Sequence, residues 1–400
     1  MGSLLSKGLL SVVTGNTPGV RGLVVDHLLR AGPRAAVLAV SVQDRDRGYP
    51  VVQRFASGAC GAGTQLRDTL TRGATGDPAV ILRQDLLSIR RAMARPHVIL
   101  ALPQELDVLP LLVELWRPRI GVSSLGDHYE PGPVLVGVDP ASFTADLGCV
   151  HRAVSLWDGS GGAMPTTPAE IAARQVESAD ALIVPTPAGG GSRWVSGAAA
   201  LIGQLNPHAA LLTVPDDGDL AVGLPPFLTQ PAPSGASEGW RTRLEPVILP
   251  HSPRGGGHGV GSVLWHARRP LHPERLADAL GAVMIGAARS RGHLWLCSRP
   301  DAVVSWRSAG AHLELFEADR WLEAGDRSAW EAASPQRRTL ASWFWHDYYG
   351  ERRNEIVFTG IDLNEQRIRS ALDEALLTDT ELSRGRECWT AIPDPLLGSP

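Results

Sequence analysis

The chain is 400 residues long with a formal net charge of −4. That length fits about two or three domains, and the near-neutral balance excludes a strongly basic nucleic-acid-coating protein, so no DNA partner is expected. Hydrophobic residues make up 44%, too many for wholesale disorder, and no apolar run approaches the ~18 residues that cross a bilayer, so no membrane partner is expected either.

Met1 to Leu10 carries one lysine and a short apolar stretch that runs into a first strand, and it is not read as a signal peptide. The four cysteines, Cys60, Cys149, Cys297 and Cys388, are far apart and form no CxxC pair. That usage fits a reducing cytoplasm and argues against a structural zinc site. Lys7 is the single lysine among the 38 basic residues, so the rest are arginine. Chemistry that needs a lysine must use Lys7.

Residues 9–14 read as a buried strand and Val20 to Leu29 as a helix. Further apolar runs, expected as strands, lie at Ala35–Val42, His97–Leu102, Val134–Val138, Ala181–Val184 and Ala209–Val214. Helical patterns lie at Leu82–Met93, Leu106–Trp116, Ala169–Ser178 and Trp194–Leu205. Strands alternating with helices imply βαβ units and a mostly parallel sheet over residues 1–215. Residues 216–260 are dense in Pro, Gly and Ser and read as a linker. A second unit starts near Gly261 with a strand, Ser262 to Ala267, and a helix from Pro273 to about Ser290. Strands are expected at 293–297, 312–316 and 355–360, and a last helix from about Asn364 to Leu377. Eight of the 12 tryptophans lie beyond residue 258, a density that points to core packing.

The first strand ends in a Gly-containing turn, where a phosphate-binding loop of pattern GxxxxGK[ST] would sit. Here the segment is Gly15-Asn16-Thr17-Pro18-Gly19-Val20-Arg21-Gly22. Val20 replaces the second glycine, Arg21 the lysine and Gly22 the magnesium-binding hydroxyl. The nucleotide-site candidates are therefore Gly15, Gly19, Arg21 and Gly22, in a form that argues against tight magnesium-dependent nucleotide binding.

The second unit is more specific. The run Gly261-Ser-Val-Leu-Trp-His-Ala-Arg-Arg-Pro-Leu-His-Pro-Glu-Arg-Leu276 resembles the start of the C-terminal domain of the CobW family of P-loop GTPases and metallochaperones. The resemblance continues at 289–301, 306–310, 349–362 and 371–378, and so covers nearly all of 260–380. The ending, Leu377-Thr-Asp-Thr-Glu-Leu382 with Trp389 and Pro393-Asp-Pro395, is similar to the actinobacterial, Mrf-like branch tied to ribosome hibernation under zinc starvation.

The resemblance implies an α/β fold: a P-loop NTPase-like domain over 1–215, the linker 216–260, a small α+β CobW-type domain over 261–382 and a tail, 383–400. It also implies where the family's chemistry should lie. The zinc-binding Cys-x-Cys-Cys element falls on Asp77, Ala79 and Val80, just before Arg83-Gln-Asp-Leu-Leu87, so no thiol remains. Ala101 stands where a Walker B acid is expected. Asp139, in Val136-Gly-Val-Asp139, is a possible remnant acid. Pro185-Thr-Pro-Ala188 replaces the guanine-reading motif.

His251, His258, His266 and His272 are too sparse for a metal loop, and no zinc ligand is assigned. His272, before Pro273, reads as a helix-start residue. Arg268, Arg269, His272, Arg275 and Arg291 form a candidate partner surface, since arginine suits acidic or phosphate partners. No Ser/His/Asp or Cys/His arrangement is present, so no catalytic residue is assigned. Three functions stay open. One is a non-hydrolysing, cytoplasmic adaptor linked to zinc homeostasis, with a ribosome hibernation factor or the small ribosomal subunit as partner. Another is a weak GTP-binding zinc metallochaperone. The third is a binding module with an unrelated partner.

Overall fold

Continuous runs of Val, Leu, Ile and Ala, buried on both faces, pair side by side into a mostly parallel sheet. The structure, a computed structural model, describes residues 7–32, 34–43, 49–57, 73–93, 96–119, 123–151, 154–157, 163–186, 193–215, 225–247 and 257–398. Cys60, His251, the stretch 254–256 and residues 187–188 lie outside these. The chain divides into two units, Met1–Leu244 and Glu245–Pro400.

In the first unit the order begins with β1 (Gly8–Gly15), α1 (Pro18–Ala31), β2 (Ala36–Gln43), β3 (Val51–Ser57), β4 (Ala74–Thr75), α2 (Pro78–Ala92), β5 (His97–Ala101) and α3 (Val108–Trp116). It continues with β6 (Tyr129–Gly137), α4 (Pro140–Leu147), the hairpin β7 (Val154–Trp157) and β8 (Ala163–Thr166), α5 (Pro168–Ser178), β9 (Ala181–Thr186), α6 (Arg193–Leu205) and β10 (Ala210–Pro215). The strand order is β10-β9-β6-β1-β5-β2-β3-β4, parallel as far as β2 and antiparallel from β2 through β4. The expected α/β class and parallel sheet are therefore present. Two short strands and the β7–β8 hairpin add to the expected set. β3 is one of the additions: its two polar residues in the middle, Gln53 and Arg54, break the apolar run and suit an outer position next to β4 rather than the sheet centre.

Because β5 and β6 flank β1 on opposite sides, the chain changes direction across the sheet at β1. In open α/β sheets such a switch point leaves a crevice at the carboxyl ends of the strands. Here those ends are Gly15, Ala101 and Gly137.

Part of the stretch read as linker is folded onto the first unit. Residues 226–229 form a 3₁₀ turn with Leu228 fully buried in the sheet core, and α7 (Ala236–Leu244) buries Trp240 edge-on against Trp116, with centroids 5.1 Å apart. Composition marks this stretch as loop, and two large apolar side chains override it.

The second unit runs β11 (Val260–Ala267), α8 (Pro273–Val283), β12 (Ala287–Leu294), β13 (Ala302–Ala309), β14 (His312–Arg320), α9 (Arg327–Ala332), α10 (Pro335–Trp343), β15 (Asn354–Ile361), α11 (Glu365–Glu374), α12 (Asp379–Ser383) and α13 (Arg386–Thr390). Its five strands form an antiparallel sheet, β11-β15-β12-β13-β14. Leu276 and Val283 of α8 and Ile368 and Leu372 of α11 join Trp265, Trp306 and Phe358 of the sheet in one core. A second cluster joins Val247, Trp295, Cys297 and Trp321 to Trp389 of the tail. Five of the tryptophans beyond residue 258 are thus core residues, as their density predicts, whereas Trp343 and Trp345 are exposed.

The helix expected to reach Ser290 stops at Val283. Gly286 has φ +81°, a conformation that L side chains rarely adopt, and the chain reverses there into β12. Within β12, Gly292 lies against the backbone of β15, where an added Cβ would fall 1.9 Å from the Glu355 carbonyl oxygen. Gly292→Ala must therefore displace backbone and is expected to cost about 2 kcal/mol or more. Gly261→Ala, whose Cβ would meet nothing within 4 Å, is expected to change stability by only a few tenths. Denaturant unfolding of the two variants checks the difference.

Candidate functional site

The crevice is built where β1 turns into α1. Only Asn16 and Thr17 separate the strand from the helix. Thr17 caps α1, its hydroxyl accepting from Val20 N at 3.2 Å, and Pro18 at the first position brings no N–H. Arg21 N already donates to the Thr17 carbonyl at 3.1 Å. The free donors that make a helix start attractive to anions are thus mostly used or missing.

Asn16 closes the other side. Its Nδ2 donates to the Asp139 carbonyl at 3.2 Å, and its Oδ1 accepts from Asp139 N at 2.9 Å. Asp139, the possible remnant acid, caps α4 through Oδ1, which accepts from Ser142 N at 2.8 Å. Val20 is buried and fills the space over the strand ends, within 3.0 Å of where a Cβ on Gly15 or Gly137 would stand. Arg21 is half-buried, with Nη1 donating to the Leu102 carbonyl at 3.1 Å; burial lowers its pKa and nearby Glu105 opposes that. Gly19 and Gly22 lie in the first turn of α1, where a Cβ on Gly22 would meet nothing.

A magnesium-bound phosphate tail needs clustered N–H donors, a lysine and a metal-binding hydroxyl at this point. The segment has instead a capped two-residue turn, an arginine bonded to a neighbouring loop, and no hydroxyl at 22. These residues do not fit that group.

Other polar side chains of the first unit are also bonded within the chain. Arg174 bridges Asp107 at 2.9 Å and Glu170 at 2.7 Å. Burial alone would lower the Arg174 pKa, but the two carboxylates outweigh it and raise it. Gln175 Nε2 donates to Thr14 at 3.1 Å. Asn16, Asp107 and Arg174 were invisible to sequence motifs, because their partners lie 67 to 123 residues away. Ala101, in the Walker B position, is buried at the end of β5.

The positions expected for zinc thiols open α2. Asp77 caps it, accepting from Ala79 N and Val80 N at 2.7 and 3.2 Å, and Ala79 is core. Arg83 is buried and donates to the Leu115 carbonyl, and Asp85 pairs with Arg54 at 2.8 Å. Among the described residues no group of three or more His, Cys, Asp or Glu could hold a metal ion.

In the second unit, most of the arginines read as a partner surface are bonded to other groups of that unit. Arg268 donates to the Phe344 carbonyl, and Arg269 pairs with Asp379 at 2.7 Å. Arg275 makes a two-pronged bond to Glu381, 2.8 Å on each arm, and also reaches the Leu376 carbonyl. His272 sits at the start of α8, as its place before Pro273 predicts, and burial lowers its pKa, with Arg275 adding to the effect. Arg291 lies in β12.

Comparison with known proteins agrees with the second unit's outline. Residues 260–376 match the family described as cobalamin synthesis protein cobW C-terminal domain, so the chain carries a domain of that family. The chain is 28% identical over 362 residues to the zinc chaperone Rv0106 of Mycobacterium tuberculosis, covering 89% of this chain and 86% of that protein. It is 32% identical over 207 residues to the zinc-regulated GTPase metalloprotein activator 1 of Dictyostelium discoideum, covering 49% of this chain and 41% of that protein. The crystal structure of Zn(II)-bound YjiA GTPase from E. coli aligns with 93% of this chain and 100% of its own, at 14% identity and a TM-score of 0.34. The domain match is confined to the second unit, and the two relatives extend the likeness into the first.

The Arg275–Glu381 bond gives a pH test. Hydrogen bonding from Arg275, with further bonds from Thr378, lowers the Glu381 pKa from 4.5 to about 2, against the effect of burial. A depressed carboxylate pKa stabilises the fold above the unfolded value and loses that contribution as pH falls through the folded value. The stability gap between the wild type and Glu381→Gln is therefore expected to be full above about pH 5 and to shrink toward pH 2, as read from thermal unfolding across that range.

Proposed function

We propose that this chain is a GTPase-like protein of the CobW family, linked to zinc homeostasis, that does not hydrolyse GTP and acts as a binding adaptor. The observation that carries the reading is Arg21. In the position of a phosphate lysine, its guanidinium is bonded to the Leu102 carbonyl across a two-residue turn. Repairing one residue would leave the others: the missing hydroxyl at Gly22, Ala101 in place of an acid, and Pro185 where base reading would begin.

The zinc link draws its support from the relatives named as a zinc chaperone and a zinc-regulated GTPase activator. The partner class is drawn from the Mrf-like ending around Leu377 to Leu382: a ribosome hibernation factor or the small ribosomal subunit, in the cytoplasm. A second reading, a weak GTP-binding zinc metallochaperone, is favoured by the same relatives' names and disfavoured by the residues at Asp77, Ala79 and Val80, which cap and pack a helix instead of offering thiols.

Calorimetric titration with GTP and Mg²⁺, with and without zinc, tests the choice. No heat and no thermal stabilisation are expected. Micromolar binding would return the chain to the metallochaperone reading. The triple variant Val20→Gly, Arg21→Lys, Gly22→Thr is expected to show no measurable GTP hydrolysis, and appreciable turnover there would overturn the non-hydrolysing reading. Co-sedimentation with ribosomes separates the ribosome-linked adaptor from a module with an unrelated partner.

A further inference from the structure

The turn that joins β12 to β13 carries a clasp for a segment almost a hundred residues later. Ser298 is buried in that turn, and the Arg299 side chain is 9% exposed. Ser298 Oγ donates to Asp394 Oδ2 at 2.7 Å, and Arg299 Nε donates to the same oxygen at 3.2 Å. Arg299 Nη2 donates to the carbonyls of Gly398 at 2.6 Å and Leu397 at 3.3 Å. Its Nη1 donates to Glu317 of β14, which holds the fork in place. The clasped Asp394 side chain is 1% exposed, and Leu396 and Leu397 pack against the main core of the unit.

The clasped segment shapes itself. Asp394 Oδ1 accepts from Leu396 N at 3.1 Å and Leu397 N at 3.0 Å, and Gly398 N donates to the Asp394 carbonyl at 2.9 Å. An aspartate that bonds the main chain two and three residues on makes a local turn. Such a turn is portable. The pattern Asp-x-Leu-Leu brings a carboxylate, two leucines and two carbonyls to the same relative places in any chain that carries it.

The hold on the segment is narrow. Among the described residues, hydrogen bonds tie Pro393–Gly398 to the rest of the unit through Ser298 and Arg299 alone. Ala391, Pro393 and Pro395 are exposed. Trp389, buried against Trp295, anchors the preceding stretch separately. A segment with few buried contacts opens at low cost while the rest of the domain stays folded. Ser298 and Arg299 lie within the matched family domain, residues 260–376, and the segment lies outside it.

We propose that the Ser298–Arg299 clasp is a recognition site for an Asp-x-Leu-Leu turn, that residues 393–398 fill it in cis, and that a partner protein presenting the same turn displaces them. The clasp reads one carboxylate and two carbonyls, and the core surface takes the leucines. The cis segment competes at an effective concentration of about millimolar, so the site yields only to a partner that adds contacts of its own. A second copy of this chain adds none in the segment itself, and each copy already fills its own clasp. The proposal uses residues of the second unit alone and is independent of the reading of the Arg21 turn.

The test uses the full chain as wild type and as an emptied form carrying Asp394→Ala, Leu396→Ala and Leu397→Ala. Asp394→Ala alone replaces the emptied form where thermal unfolding shows the triple variant unfolded. The probe is the peptide of residues 391–398, Ala-Ile-Pro-Asp-Pro-Leu-Leu-Gly, capped at both ends and titrated by calorimetry to about 5 mM. The emptied form is expected to bind it saturably, and the wild type about tenfold more weakly or less. Asparagine in place of the peptide's aspartate, or Ser298→Ala added to the emptied form, is expected to weaken binding roughly tenfold. No binding by a folded emptied form overturns the proposal. Equal binding by wild type and emptied form, or of the asparagine peptide, overturns it too, since the peptide is then held elsewhere. A wild-type dimer in sedimentation that the emptied form does not make assigns the clasp to a second copy's segment and overturns the partner reading.

Discussion

Asn16 exchanges two hydrogen bonds with the main chain of Asp139, and its own N–H points to the Gly137 carbonyl. This one side chain ties the carboxyl ends of β1 and β6 together. With the strand ends held so closely, the chain has only Asn16 and Thr17 with which to leave β1 and start α1. So short a turn fixes the roles of its neighbours. Thr17 must be the cap, Val20 must turn inward over the strand ends, and Arg21 falls on the side of β5, where the Leu102 carbonyl receives it. Each of these polar groups, once paired within the chain, gains little by exchanging its partner for a ligand.

The same economy explains the arginine bias. Arg174 bridges two carboxylates in the first unit, and Arg337 grips a fully buried Glu351 in the second. A planar fork with five donors can satisfy both oxygens of a carboxylate while packing its face on an aromatic ring. Arg275 grips both oxygens of Glu381, and Arg353 bonds one oxygen of Glu355 at 2.8 Å while its guanidinium lies 4.1 Å from the Phe344 ring centre. Removing one member of such a buried pair leaves an uncompensated charge, at a cost of about 3–5 kcal/mol. Whatever fixed arginine over lysine in the genome, the fold has come to depend on it.

How much of this was legible depends on where the partners sit. The parallel strands were plain, because a strand buried on both faces must be an unbroken apolar run, and β1, β5 and β9 are such runs. α7 was hidden, since Gly239 and its polar neighbours give little helical signal, and its anchors, Trp240 on Trp116 and Arg243 on Asp180 and the Ser178 carbonyl, lie far off in the chain. β12 hid behind Ala287 and Ala288, which continue a helical pattern that Gly286 alone breaks. The departure of Gly15 to Gly22 from the GxxxxGK[ST] pattern could be read directly, because a motif is local. The occupation of the crevice could not, nor could the bonds of Arg269 and Arg275, whose partners lie about a hundred residues later.

Fold and chemistry separate cleanly in the first unit. The sheet core is built from Val13, Val24, Leu28, Ile99, Leu135 and Ile183, none of which belongs to the β1–α1 turn. The turn residues therefore lie outside that core, and Val20 adds buried apolar surface beside the strand ends. A sheet of this kind says what the domain is built from and leaves what it does to the residues at its edges. In this chain those edge residues are bonded to one another.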